Sequence, residues 1–220
     1  SLNEAIRQKN RSIPVVTLVT QVVVDANDAA FNNPTKPIGP FYTEEEAEKI
    51  RKEKGFTVKE DAGRGWRRMI ASPEPKRIVE IDSIRQLWGS NIVILAGGGG
   101  IPVVENSDGS LSGIAAVIDK DLSAGCFAEA IEADVFLILT GVERVCLNYG
   151  KENQKELSKI TVAEAKEYIE QGHFPPGSML PKIIAGINFA SKFPGKKAII
   201  TSLYRAIDSL EGKTGTEITL

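Results

Sequence analysis

The sequence predicts an α/β fold built on a mainly parallel sheet. Short uninterrupted apolar runs, among them residues 13–24, 92–96 and 136–140, lack the in/out alternation of a half-solvated strand and read as strands covered on both faces. Stretches of helical period separate them. One run feeds directly into four glycines, and sites in such sheets gather at the carboxyl ends of strands. Composition agrees: 220 residues with 42% hydrophobic and 25% charged side chains, at a mean hydropathy of -0.11, suit an ordinary globular chain rather than a disordered or fibrous one. Basic and acidic residues nearly cancel, 27 against 29, so no basic field draws the chain to a nucleic-acid backbone. No apolar run approaches the ~18 residues of a membrane span, and the first residues form an amphipathic helix fragment rather than a signal peptide. A cytoplasmic protein without membrane or nucleic-acid partners is expected.

Residues 13–24 open the sheet as one strand. From 25 to 78 the chain turns polar and rich in Pro, Gly and charge, as an inserted subdomain would, with a helix begun by the capping box Thr43/Glu46 and ended at Gly55. Ile81, Ile84, Leu87 and Trp88 space a helix that Gly89 stops. After the strand 92–96, residues 106–113 read as a hairpin turn, 114–118 as a strand and 122–133 as a helix. The strand 136–140 ends at Gly141. Two capped helices follow, over 161–170 with Thr161 and Glu164 as its box and over 178–193, and then the strand 198–202. Asn10-Arg11-Ser12 matches a glycosylation sequon, which means little without an export signal.

Gly97, Gly98, Gly99 and Gly100 follow a strand end, where unhindered N–H groups could cradle an anion; a tight turn is the plainer reading. A dinucleotide fingerprint fails, because Pro102 stands where its third glycine belongs. Gly212-Lys213-Thr214 ends like a P-loop, yet Ile207 occupies the place of that motif's first glycine. Asp119, Lys120 and Asp121 lie where strand gives way to helix. One acid could merely cap the helix, but Lys120 in the first turn opposes the macrodipole unless an anion compensates it. Lys182 repeats that placement after Ser178, and two lysines at helix starts suit a shared phosphate better than two solvated side chains. Lys36 sits among prolines and is as readily a rigid turn as a site. Cys126 and Cys146 have neither CxxC spacing nor clustered histidines beside them and read as packed thiols; no metal-ligating set is found.

Seven segments, TQVVVDANDAAFNNPTKPIGPF, KEDAGRGWRRMIASP, AGGGGIPVV, AVIDKDLSAG, LTGVERVCLNYGK, GHFPPGSMLPKI and AIITSL, resemble in order and spacing the carbamate kinases of the amino-acid kinase fold. The resemblance covers essentially the whole chain. It implies a three-layer αβα sandwich with an eight-stranded, mainly parallel central sheet plus a protruding subdomain. Residues 1–24 would end an N-terminal, carbamate-side lobe, 25–78 would form the subdomain, and 79–220 the nucleotide-binding lobe. It also implies a homodimer that moves a phosphoryl group between ATP and carbamate, giving ADP and carbamoyl phosphate, often toward ATP in arginine catabolism, with Mg²⁺ held mainly by the nucleotide.

By matching motifs, Lys36, Lys120 and Lys182 are the implied phosphate-stabilising lysines and Asp121 the acid that positions them. The four glycines are implied on the carbamate side, and Thr140, Gly141, Val142, Tyr149, His173, Phe174 and Met179 around the nucleotide. His173 is read as a wall of the base pocket, with plain core packing as the alternative. The family's opening strand with its Gly-Gly-Asn loop, and its His-Gly-Asn-Gly-Pro segment, do not occur here, so the chain is expected to begin inside the family's pattern, with exposed apolar sheet surface and weak or absent turnover. A non-catalytic nucleotide-binding fragment and a kinase for another acid are the competing functions.

Overall fold

The computed structural model describes residues 2–9, 12–61 and 63–220. The sequon at Asn10 and Arg11 thus lies outside the described residues. Two compact units emerge. One comprises the residues up to Glu80 together with Leu87–Lys120; the other comprises Ile81–Gln86 and Asp121–Leu220.

The first unit holds α1 (Leu2–Gln8), β1 (Val15–Thr17), β2 (Gln21–Val24), β3 (Lys36–Tyr42), α2 (Glu44–Lys54), β4 (Val58–Glu60), β5 (Trp66–Ile70), β6 (Pro75–Ile78), β7 (Ile92–Ile94), β8 (Ile101–Glu105) and β9 (Leu111–Gly113). A four-stranded sheet runs β6-β2-β8-β9, with β2 and β8 parallel. Val22, Ile78 and Val103 form its buried spine, at no more than 2% exposure. β1 pairs only with β7, in parallel, and β3-β5-β4 make a separate antiparallel sheet within 36–70. α2 begins as its sequence requires: Thr43 accepts from the Glu46 N–H, the Glu46 carboxylate accepts from the Thr43 N–H, and Gly55 closes the helix at φ 65°.

The second unit holds α3 (Ile81–Leu87, its last residue clustering with the first unit), α4 (Lys120–Ala130, from Asp121 on), β10 (Val135–Thr140), β11 (Val145–Leu147), β12 (Lys155–Leu157), β13 (Lys159–Thr161), α5 (Val162–Glu170), α6 (Met179–Lys192), β14 (Lys197–Ser202), α7 (Ala206–Leu210) and β15 (Thr216–Thr219). Its sheet runs β10-β14-β15-β13, parallel at β10/β14 and β15/β13 and antiparallel at β14/β15. Phe136, Ile183, Ile187, Phe189, Ile200 and Ile218 build one apolar cluster between sheet and helices, each side chain contributing roughly 1.5–3 kcal/mol by burial. Gly186 lets α6 lie this close, since a Cβ there would meet Ile218 Cδ1 at 2.7 Å. The α4 end is capped by Arg85, whose Nη2 donates to the Ala130 carbonyl at 2.9 Å.

The α/β class is as the sequence predicts, but the strands are shorter and the pairing mixed. The expected strand 13–24 breaks at 18–20 into β1 and β2, which join different sheets. Residues 114–118 form no strand beyond a single bridge, Ala71 to Ala116. β7 and β10 are less covered than their sequences suggest, with Ile94 and Leu139 exposed. Ser178 makes no side-chain cap on α6. The implied eight-stranded sheet is resolved into two four-stranded sheets, one in each unit, beside smaller ones. No helix among the described residues is long and apolar enough to cross a membrane.

Candidate active site

In the first unit the glycine cluster is a turn of unusual tightness. The N–H groups of Gly97, Gly99 and Gly100 donate to the carbonyls of Leu95, Ala96 and Ala96 at 2.7, 2.9 and 2.6 Å. Those three amides are therefore engaged inside the turn. Packing explains two glycines. A Cβ on Gly99 would stand 2.3 Å from the Ile118 carbonyl oxygen, and one on Gly100 2.5 Å from Val22 Cγ2. Gly98 has open space instead. The turn borders a cavity of about 490 Å³ with residues 17–20 and 116–117, into whose surroundings Val19, Ile94 and Ile101 leave exposed apolar surface. Lys36, the first residue of β3, places its ammonium 2.7 Å from the Asp119 carboxylate, a side chain only 9% exposed.

In the second unit a cavity of about 390 Å³ lies beyond the carboxyl end of β10. Thr140, Gly141, Val142, Tyr149, His173, Phe174 and Met179 all line it. The structure thus brings together every residue the resemblance assigns to a nucleotide. Phe174 is buried, Tyr149 is exposed, and the His173 ring stands edge-on to Tyr168 with Nε2 3.1 Å from Gln171 Oε1. An aromatic and apolar wall with a few polar atoms suits a planar base.

From the same wall, α6 leads to Lys182, whose ammonium lies 2.6 Å from Asp121 Oδ2, the side chains 9% and 11% exposed. The anion that a lysine near a helix start demands is therefore supplied by the protein itself. Asp121 thus pairs with Lys182, and Asp119 with Lys36. Lys120 opens α4 and is exposed.

Four lining residues escape the sequence reading: Arg144, Cys146, Pro175 and Ser178. The first two continue the alternation begun by Val142, a signal the sequence does contain. Burial, with Glu156 nearby, pushes the Cys146 thiol above its ordinary value, so it stays protonated at neutral pH. From the sequence, Asp119 is legible as one of the charges where strand gives way to helix, but not as the partner of Lys36.

The sequence model of the amino acid kinase family matches residues 9–202. The carbamate kinase of Thermococcus kodakarensis is 52% identical over 218 residues, 99% of this chain and 68% of the relative. The chain belongs to the amino acid kinase family, in its carbamate kinase branch. The carbamate kinase of Clostridium perfringens is likewise 52% identical, over 99% of this chain and 69% of its own length. Among solved structures, the carbamate kinase of Giardia lamblia bound to AMP-PNP superposes at a TM-score of 0.90 with 43% identity, over 99% of this chain and 69% of that one. Within this family the second unit's cavity and the two lysine–aspartate pairs are the features whose chemistry asks for a role.

Proposed function

We propose that the chain is a phosphotransferase exchanging a phosphoryl group between ATP and carbamate, giving ADP and carbamoyl phosphate. The observation that carries this is the meeting of all seven nucleotide-assigned residues in one cavity, in a chain half identical to carbamate kinases. A carbamate oxygen, already ionised, forms the new bond to the γ-phosphorus while the bond to the ADP oxygen breaks and ADP departs with the electron pair. No base is needed. Catalysis must then come from in-line positioning and charge neutralisation. Lys182 is read as the cation beside the nucleotide phosphates, aimed by Asp121, and Lys36 and Lys120 as the further phosphate-stabilising cations, with Asp119 fixing Lys36. The turn at residues 97–100 is read as the acid-substrate side.

Among the described residues no three His, Cys, Asp or Glu side chains gather as a metal cluster. The resemblance implies Mg²⁺ arriving on the nucleotide, where it would draw charge from the β- and γ-phosphates. The resemblance further supports a cytoplasmic homodimer running toward ATP in arginine catabolism.

Incubating the chain with ADP, Mg²⁺ and carbamoyl phosphate, with ATP read by coupled hexokinase, tests the proposal. ATP should form, at a rate well below that of a full-length carbamate kinase assayed alongside, and Lys182→Ala should lower it further. ADP binding without ATP formation would instead establish a nucleotide-binding protein without turnover, and transfer to another acid but not to carbamate would reassign the substrate.

A further inference from the structure

Behind the wall of the second unit's cavity runs a row of buried hydroxyls that the proposed chemistry does not use. Val142, Arg144 and Cys146 line the cavity, whereas Glu143 and Val145 do not. Residues 141–144 fall outside every strand, so their polar groups need partners other than a ladder. Three threonines meet Glu143 and its neighbour Val145. Thr201 Oγ1, on β14, donates to the Glu143 carbonyl at 3.1 Å. The Thr214 hydroxyl donates to the Glu143 carboxylate. The Val145 N–H donates to Thr216 Oγ1 at 2.9 Å, while that hydroxyl's own proton goes to the Leu157 carbonyl. These threonines are 0%, 6% and 0% exposed. Arg205 adds a guanidinium 3.7 Å from Glu143 Oε1. Thr214 and Thr216 thus meet Glu143 and Val145 at the two-residue spacing of neighbouring strands, the first through a carboxylate and the second through a backbone N–H.

We propose that Thr214, acting through Glu143, is a positioning residue for the nucleotide, the threonine row fixing the wall formed by Val142, Arg144 and Cys146. The inference rests on the nucleotide reading above. A hydroxyl donating to a carboxylate is among the stronger hydrogen bonds, and a wall displaced by a fraction of an ångström loses its fit to a rigid base.

Calorimetry with ADP and hydrogen exchange without it test the idea on the wild-type chain, Thr214→Val and Thr214→Ser. Thr214→Val should bind ADP about tenfold more weakly and speed exchange of the amides at 141–145, and Thr214→Ser should restore both. Equal ADP affinity in Thr214→Val and wild type, with only a lowered melting temperature, would reduce the row to a structural role and overturn the proposal; so would a Thr214→Ser variant as weak as Thr214→Val. Should Thr214→Val not fold, Glu143→Ala at its half-exposed position must show the same weakening, and wild-type affinity there also overturns it. Failure of the wild-type chain to bind ADP sinks the nucleotide reading, and unchanged exchange at 141–145 sinks the threonine row independently.

Discussion

Lys182 and Asp121 are tied by a contact in which each side chain is about nine-tenths buried, so replacing either takes an ionic partner from a desolvated charge. Removing one partner of such a pair costs about 3–5 kcal/mol. Lys182→Met and Asp121→Asn should therefore each lower stability by that order, and the double variant by less than their sum, as urea unfolding in a double-mutant cycle will read. The glycine turn gives a sharper contrast. Gly99→Ala must push against a backbone carbonyl at φ 139° and should cost about 2–5 kcal/mol, whereas Gly98→Ala meets nothing and should stay within about 0.5 kcal/mol of the parent. Comparison of their urea midpoints decides it. At this scale the sequence shows that charges and glycines cluster, since that is written in adjacent letters. Which acid meets which lysine is not legible, because Lys36 and Asp119 are 83 residues apart and Lys182 and Asp121 61.

Helix starts are the most legible elements. Thr43/Glu46 and Thr161/Glu164 are chemical patterns four residues long, and both fold into the reciprocal bonds they encode. At α5 the box carries a pH signature. The backbone N–H and hydroxyl of Thr161 hold the Glu164 carboxyl below its ordinary value of 4.5. Its contribution is thus present above that value and fades as pH falls through the lowered one. Glu164→Gln should flatten this part of the acid limb in a stability–pH profile, and a limb of unchanged slope would mean the box is not formed in solution. Thr161→Ala should cost about 1 kcal/mol near neutral pH. Strands are harder to read. The run 13–24 looks continuous, yet β1 pairs with β7 and β2 with β6 and β8, a division fixed by partners far along the chain. The β3-β5-β4 sheet stays hidden in a polar stretch whose strands are shaped by pairing more than by hydrophobicity.

For the whole molecule, the predicted class is readable because apolar runs and helical spacing alternate along the chain, while the partition into units is not: residues 87–120 cluster with the N-terminal portion, although the resemblance groups them with the C-terminal lobe. The wall proposed for the nucleotide is marked out by family likeness, and Arg144 and Cys146 continue the alternation begun by Val142. If the reading of that wall is right, ADP should slow exchange at 140–146 and 173–179 while the β6-β2-β8-β9 sheet of the first unit exchanges as before. Protection spread evenly over the chain would contradict it. Ala96, which accepts two of the glycine-turn bonds, is itself held at φ 58°, a conformation that costs an L-residue about 1–2 kcal/mol. That cost leaves headroom for improvement by random mutagenesis: a library propagated under rising heat should become enriched at codon 96 for glycine, a gain available without touching any lysine.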